Sequence, residues 1–301
     1  MKFGFRLHPF GMFPDVPAIV ETAQRGEALG YDFISLPEHT IFPREEERTM
    51  GKTWYETLTL ATHLAALTKT IRYHTGAIVL TQHHPIYLAK QAATLDITSN
   101  GRIGLGLAGG WLEAEIGWLG GAVRNRGKAV EEYIAVMRKL WTEDPVTHAG
   151  ERISFANASF HPKPVQKPLP IYVCGTARVS APRAARIGDG WWPSSSPAAV
   201  FKECIDGLWR DMETLGRSRE GFSVINHMTL YELPEEIKEH TRTTGAEPEA
   251  GFGGDMARAR EYVEYCEGIG VTHLLVLFST RYPEFREQIE AFSEAVIRPR
   301  T

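Results

Sequence analysis

The stretch RYHTGAIVLTQHHPIYLAKQAATLDITSNGRIGLGLAGGWLEAEIGWLGG, Arg72–Gly121, decides the fold. His74–Leu80 is an apolar run of strand length, and Pro85–Thr98 reads as a helix. A polar turn at Ser99-Asn100-Gly101 leads into a second apolar strand, Ile103–Leu107, and then into a Gly-Gly-Trp loop. Strand, helix, strand is the repeating unit of a parallel sheet.

The same alternation continues on both sides. Upstream lie a strand over Phe3–Leu7, ending near His8, and a helix over Ala18–Leu29 stopped by Gly30. A short strand follows at Phe33–Leu36 and a helix at Tyr55–Leu67. Downstream, Arg126–Trp141 places Val130, Tyr133, Ile134, Met137, Leu140 and Trp141 at helical spacing. Val146–Phe155 reads as a hairpin turning at Gly150, and Pro162–Pro170 as an extended connection. Strands at Ile171–Cys174, Trp191–Trp192, Phe222–Leu230 and Thr272–Phe278 then alternate with helices at Ala181–Ile187, Ala198–Leu215, Met256–Gly268 and Pro283–Val296. Asp255 is placed to cap the third of these helices. Eight strands alternating with helices, without a composition break, predict a single (β/α)8 TIM barrel over residues 1–301. Its insertion segments follow strands at Phe42–Trp54, Pro145–Pro170 and Leu233–Gly254, the last read as loop with some helix.

Composition excludes several function classes. The 301 residues are 43% hydrophobic and 23% charged, ordinary for a globular chain. A net charge of −4 without a basic block argues against nucleic acid. No apolar run has the ~20 residues that span a bilayer, so no membrane partner is expected. Three scattered cysteines, and a strand-like Lys2–Leu7 where a leader would lie, suit a cytoplasmic location. No metal-ligand spacing is present; His83-His84 is an adjacent pair whose side chains diverge.

Barrel enzymes build their sites at the C-terminal ends of the strands. His8, Glu38-His39, Gly76-Ala77, Ala108–Trp111, Cys174–Thr176 and Trp191–Ser194 fall there. Glu38-His39 is the sharpest pair, because imidazole moves protons near neutral pH and a carboxylate can orient the ring. The alternative is a strand that merely ends in two polar residues. Gly104-x-Gly106-x-x-Gly109 has the dinucleotide spacing, but two of its glycines lie within a strand, Gly117 and Gly120-Gly121 interrupt any helix that follows, and Arg124–Gly127 sits where the acidic residue should be. Ala108-Gly109-Gly110 instead leaves room for a flat ring beside the backbone. Cys174-Gly175-Thr176-Ala177 precedes a helix, whose free N–H groups favour phosphate. Trp191-Trp192 suits either a pocket wall or the core, core being the commoner use. The polar run Pro43–Lys52 is a solvated loop placed where a lid would sit.

Several ordered motifs carry a family resemblance across nearly the whole chain. They are Glu21–Asp32, P-E-H at Pro37–His39, H-P-x-x-x-A-K-Q-A-A-T-L-D at His84–Asp96, and G-R-x-x-L-G at Gly101–Gly106. G-G-W-x-x-x-E at Gly109–Glu115, P-K-P-V-Q-x-P-x-P-I at Pro162–Ile171 and R-A-A-R-x-G-D-G-W at Arg183–Trp191 complete the set. With these the chain resembles the luciferase-like superfamily of flavin and deazaflavin oxidoreductases. It is most similar to the branch that uses coenzyme F-420, a deazaflavin. The resemblance implies an F-420-dependent hydride-transfer oxidoreductase acting on a small molecule, with a homodimer common among relatives. It implies that His39 is the catalytic group beside the ring and that Glu38 contacts the ring or its tail. It also implies a non-prolyl cis peptide at Gly76–Ala77 behind the ring. Backbone at Ala108, Gly109 and Gly110 would lie along ring and side chain, and Cys174, Gly175, Thr176 and Ala177 would hold the phosphate. Trp111 stands where sugar-phosphate dehydrogenases of that branch carry a glutamate acid, which implies a different substrate with an aromatic wall. Flavin monooxygenases share Gly-Trp at this place, so the alternative is an FMN-dependent monooxygenase served by a separate reductase. A non-catalytic flavin-binding barrel is a third reading.

Overall fold

The computed structural model describes residues 1–8, 10–232, 235, 238, 239, 242 and 251–300. Eight strands close into a parallel barrel: β1 (Lys2–Arg6), β2 (Phe33–Leu36), β3 (Arg72–Val79), β4 (Ile103–Ala108), β7 (Ile171–Gly175), β8 (Gly190–Pro193), β9 (Ser223–Thr229) and β10 (His273–Leu277). Around the ring they run β1-β10-β9-β8-β7-β4-β3-β2. The remaining strands, β5 (Val146–Ala149) and β6 (Ser154–Ala158), form the expected antiparallel hairpin. The helices are α1 (Val16–Ala28), α2 (Glu47–Met50), α3 (Thr57–Leu67), α4 (Pro85–Thr98), α5 (Glu113–Trp118), α6 (Arg126–Thr142), α7 (Ala177–Ile187), α8 (Ala198–Thr214), α9 (Met256–Gly268) and α10 (Tyr282–Phe292). The fold is thus the (β/α)8 barrel that the alternation predicts.

Local chemistry sets the boundaries. Asp15 caps α1 by accepting the Ala18 N–H at 2.9 Å, and Asp255 caps α9 through the Ala257 and Arg258 N–H groups. Glu56 does the same for α3 through Leu58 and Thr59, which moves that helix start from Tyr55 to Thr57. Helix α7 begins at Ala177, four residues before the expected start at Ala181, because β7 passes into it through Thr176 alone. Pro182 lies inside α7. Helix α10 ends at Phe292 and passes into a π turn over Ser293–Ile297. Helix α5, Glu113–Trp118, forms with Gly117 inside it and ends before Gly120-Gly121, so only that glycine pair acts as a breaker. Most of the segment expected as loop over Leu233–Gly254 lies outside the described residues.

Inside the barrel, Phe33, Tyr172, Trp192, Ile225 and Leu275 pack together, and His74 stacks on Phe33 with ring centroids 4.6 Å apart. This plug fills the lower barrel, and the barrel interior opens at the C-terminal rim. Gly104 and Gly106 face the plug from within β4. A Cβ on Gly106 would lie 2.1 Å from the Thr75 carbonyl oxygen, where β3 bulges between Thr75 and Ile78. Their spacing serves barrel packing and forms no phosphate turn.

Candidate active site

A cavity of about 810 Å³ opens at the C-terminal rim. Its walls include Glu38, His39, Gly76, Ala77, Ala108, Gly109, Gly110, Cys174, Gly175 and Thr176, so ten of the expected site residues converge on it. Ala177 does not: it is the first residue of α7, 4% exposed, with its methyl group in the core. The Trp pair divides between the two uses. Trp191 is buried, stacks on Phe201 at 5.0 Å and donates to Ser180 Oγ, whereas Trp192 faces inward and lines the cavity.

Strand β2 ends at Leu36 and delivers Pro37-Glu38-His39 to the rim. Glu38 is 6% exposed and turns across to β3. One carboxylate oxygen accepts the Val79 N–H at 2.7 Å, and the other meets His83 Nε2 at 2.9 Å. Burial would lower the His83 pKa, but the hydrogen bond and charge of Glu38 outweigh it and raise it. Both Glu38 oxygens therefore brace the β2 and β3 ends at the cavity wall.

His39 is held by a residue whose role the sequence did not reveal. Its Nδ1–H donates to Oε2 of Glu115 at 2.6 Å. Glu115 is fully buried on α5, and its second oxygen accepts the N–H groups of Thr40 at 2.6 Å and Ile41 at 3.2 Å. Burial alone would raise the Glu115 pKa. The His39 hydrogen bond and charge, with the two N–H groups, more than offset it, so the pKa is lowered. An ionised Glu115 keeps the proton on Nδ1, which leaves Nε2 as the free atom of the ring. Trp54, Phe42 and Trp111 stand edge-on around the imidazole, at 4.7, 5.9 and 6.0 Å. Trp54 and Trp111 also line the cavity, as do Arg48, Thr49, Met50 and Gly51 from the charged loop beside it.

The wall formed by the ends of β3 and β4, next to β2, is mostly backbone. The Gly76–Ala77 peptide is cis, as the resemblance implied, and sits at the β3 bulge. Gly110 takes φ +79°, and a Cβ there would meet Val79 at 2.5 Å, so the chain can pass close to β3 only as glycine. Thr81 Oγ1 donates to the Gly109 carbonyl at 3.1 Å and fixes this loop. The Arg126 side chain lies against Gly109 and also lines the cavity, with no ion pair to a described residue. Thr176 follows β7 on the cavity wall as N-cap of α7, and its side chain makes no capping bond. Burial pushes the Cys174 thiol pKa up, so it stays protonated. Among the described residues, no cluster of three or more His, Cys, Asp or Glu could hold a metal ion, and no helix is long and apolar enough to cross a membrane.

Comparison with known proteins places this geometry. An uncharacterized protein of Mycobacterium tuberculosis is 33% identical over 231 residues, covering 71% of this chain and 80% of that one. The F420-dependent glucose-6-phosphate dehydrogenase of Amycolatopsis mediterranei is 31% identical over 179 residues, 58% of this chain and 52% of its own. The FMNH(2)-dependent dimethylsulfone monooxygenase of Pseudomonas putida is 28% identical over 219 residues, 68% and 58% of the two chains. Among solved structures, an F420-dependent secondary alcohol dehydrogenase superposes with a TM-score of 0.79 at 19% identity over 98% of both chains, a likeness of fold. The family model for luciferase-like monooxygenases matches residues 5–232, and the chain belongs to that family.

Proposed function

We propose that the chain is an oxidoreductase that moves hydride between coenzyme F-420 and a small organic substrate. The observation that carries this reading is the Glu115–His39 pair, which presents one imidazole nitrogen at a cavity whose β3–β4 wall is backbone and glycine. A flat tricyclic ring fits such a wall, because Gly76, Ala77, Ala108, Gly109 and Gly110 put little side chain in its way. Thr176, Gly175 and the Arg126 guanidinium would hold a phosphate-bearing tail at the far end. When bound, the deazaflavin supplies a ring carbon that carries hydride and reacts poorly with oxygen.

The chain's own part is proton handling and orientation. His39 Nε2 accepts the hydroxyl proton of a substrate being oxidised, or donates a proton to the oxygen of one being reduced. Glu115 acts through His39, fixing the orientation and tautomer of its ring. Glu38 holds β2 and β3 together beneath it. Trp54, Trp111 and Phe42 keep water from the imidazole. The reading carries with it one domain over residues 1–301 and a cytoplasmic homodimer.

The second reading, an FMN-dependent monooxygenase with a separate reductase, is favoured by Trp111 and by the Pseudomonas putida relative. Titration of the purified chain with coenzyme F-420 and with FMN, followed by cofactor fluorescence, separates the two. Tight binding of F-420 alone is the expected result. Tight binding of FMN alone would transfer the site to the second reading, and binding of neither would contradict both.

A further inference from the structure

Strand β1 lies four strands from β7 in either direction around the barrel, so its end faces the proposed phosphate end across the cavity. Arg6, the last residue of β1, lines this side. Its Nε is sealed from water and has no hydrogen-bond partner, and the guanidinium forms no ion pair with a described residue. The neighbouring Tyr231 phenol supplies no counter-charge, since burial raises its pKa despite the arginine.

His227, on β9, shares this wall and is 8% exposed. The Trp192 indole N–H donates to its Nε2 at 3.0 Å. An indole can only donate, so Nε2 must carry a lone pair. Burial, reinforced by the Arg6 charge, lowers the His227 pKa to about 3, so the ring is neutral and its one proton sits on Nδ1. That N–H is buried and has no acceptor. His8 adjoins the pair. Burial, then Arg6, then His39 lower its pKa to about 3 against the opposing Met50 carbonyl, and its Nε2 has no partner either. The His8 ring lies 4.3 Å from Trp54, which in turn stands 4.7 Å from His39. Among the described residues, the wall therefore holds a cation and a neutral N–H donor with no acceptor for the Arg6 Nε–H or the His227 Nδ1–H, one indole away from the proton-handling histidine. A half-buried cation whose Nε is sealed from water without a partner is unfavourable, and a ligand that brings an anionic oxygen relieves it.

We propose that Arg6 and His227 form the substrate subsite of this cavity and that they bind the carboxylate of a small organic acid. The identification of the occupant as substrate rests on the oxidoreductase reading; the anion preference does not. The carboxylate would take the arginine fork and the His227 Nδ1–H. The rest of the substrate would then extend past Trp54 towards His39 Nε2.

Calorimetric titration of the full chain with benzoate and with benzamide tests this. The two probes have the same shape and differ in charge. Benzoate should bind about tenfold or more tightly than benzamide, as expected for charge-assisted hydrogen bonds. Arg6→Met should abolish the difference, Arg6→Lys should keep part of it, and His227→Gln, on another strand, should weaken benzoate and spare benzamide. Equal binding of the probes by the wild-type chain, absence of benzoate binding, or a preference that survives Arg6→Met would overturn the proposal. Cofactor titration on the same samples keeps the two readings apart. If neither F-420 nor FMN binds while the benzoate preference holds, the oxidoreductase reading falls and the anion site stands; if a cofactor binds and benzoate shows no preference, the reverse is true.

Discussion

The two rims of the barrel use polar side chains in opposite ways. At the N-terminal rim, buried and half-buried carboxylates accept backbone N–H groups. Asp96, fully buried, accepts the N–H groups of Val165 and Gln166 at 2.7 and 3.0 Å and the Gln166 side-chain amide at 2.6 Å. Glu27 accepts the N–H groups of Lys69, Thr70 and Ile71 ahead of β3, and these hold its pKa down to about 2 against burial. Asp32 accepts the Phe3 N–H, and Asp189 the Ile171 N–H, where β1 and β7 begin. At the C-terminal rim Arg6, His8, Trp54 and His227 keep buried polar atoms without partners. The first rim stores stability in completed hydrogen bonds. The second leaves bonds open for something that is not protein, which is the division expected of a barrel enzyme.

The largest effect that would break this comparison is on turnover. His39→Ala should lower the turnover number by about 10²–10⁴-fold, the range of a lost general acid or base, while cofactor affinity from fluorescence titration stays close to wild type. Equal loss of both would mean that His39 shapes the cavity rather than the chemistry. At the other rim, Asp96→Ala should leave three donors unmatched and destabilise the fold by about 3 kcal/mol in urea unfolding, with cofactor affinity retained.

A smaller effect concerns pH. The folded-state pKa of Glu115 is depressed, so its contribution to stability is present above the unfolded value of about 4.3 and is lost as pH falls through the lower folded value. Glu115→Gln should lack that acid-side loss, in urea unfolding followed from pH 6 down to about 3. The smallest effect is expected from Arg6→Met, which removes a half-buried charge without an ion pair to a described residue. Its unfolding free energy should stay within about 1 kcal/mol of wild type or rise. A loss as large as that of Asp96→Ala would show that the two rims do not differ.

Much of the barrel was legible because each unit is local. The apolar runs of β3 and β4, the proline that opens α4, and the capping Asp255 are all read within one element. The residues after strand ends were legible for the same reason, since a parallel barrel sends them to one rim. The partner of His39 was not. Glu115 lies 76 positions away on a helix of six residues that three glycines appeared to forbid, and only the family motif ending in that glutamate marked it. Glu38 was expected to touch the ring; its two oxygens are taken by Val79 and His83, contacts that need β2 and β3 to be neighbours. Ala177 was drawn in by its place at a helix start, yet its side chain belongs to the core. Arg6 and His227 gave no local signal, because an arginine at a strand end and a lone histidine are ordinarily solvated or satisfied. Only the closed ring brings β1 and β9 to one wall.

The central claim is that the C-terminal rim seats a tricyclic ring between His39 and the Gly76–Gly109 wall. A crystal structure of the chain soaked with coenzyme F-420 tests it directly. The account predicts the ring against Gly76, Ala77 and Gly109, within hydrogen-bond reach of His39, with the phosphate at Thr176 and Arg126. A ring bound outside this cavity, or a tail running towards Arg6 instead, would contradict it.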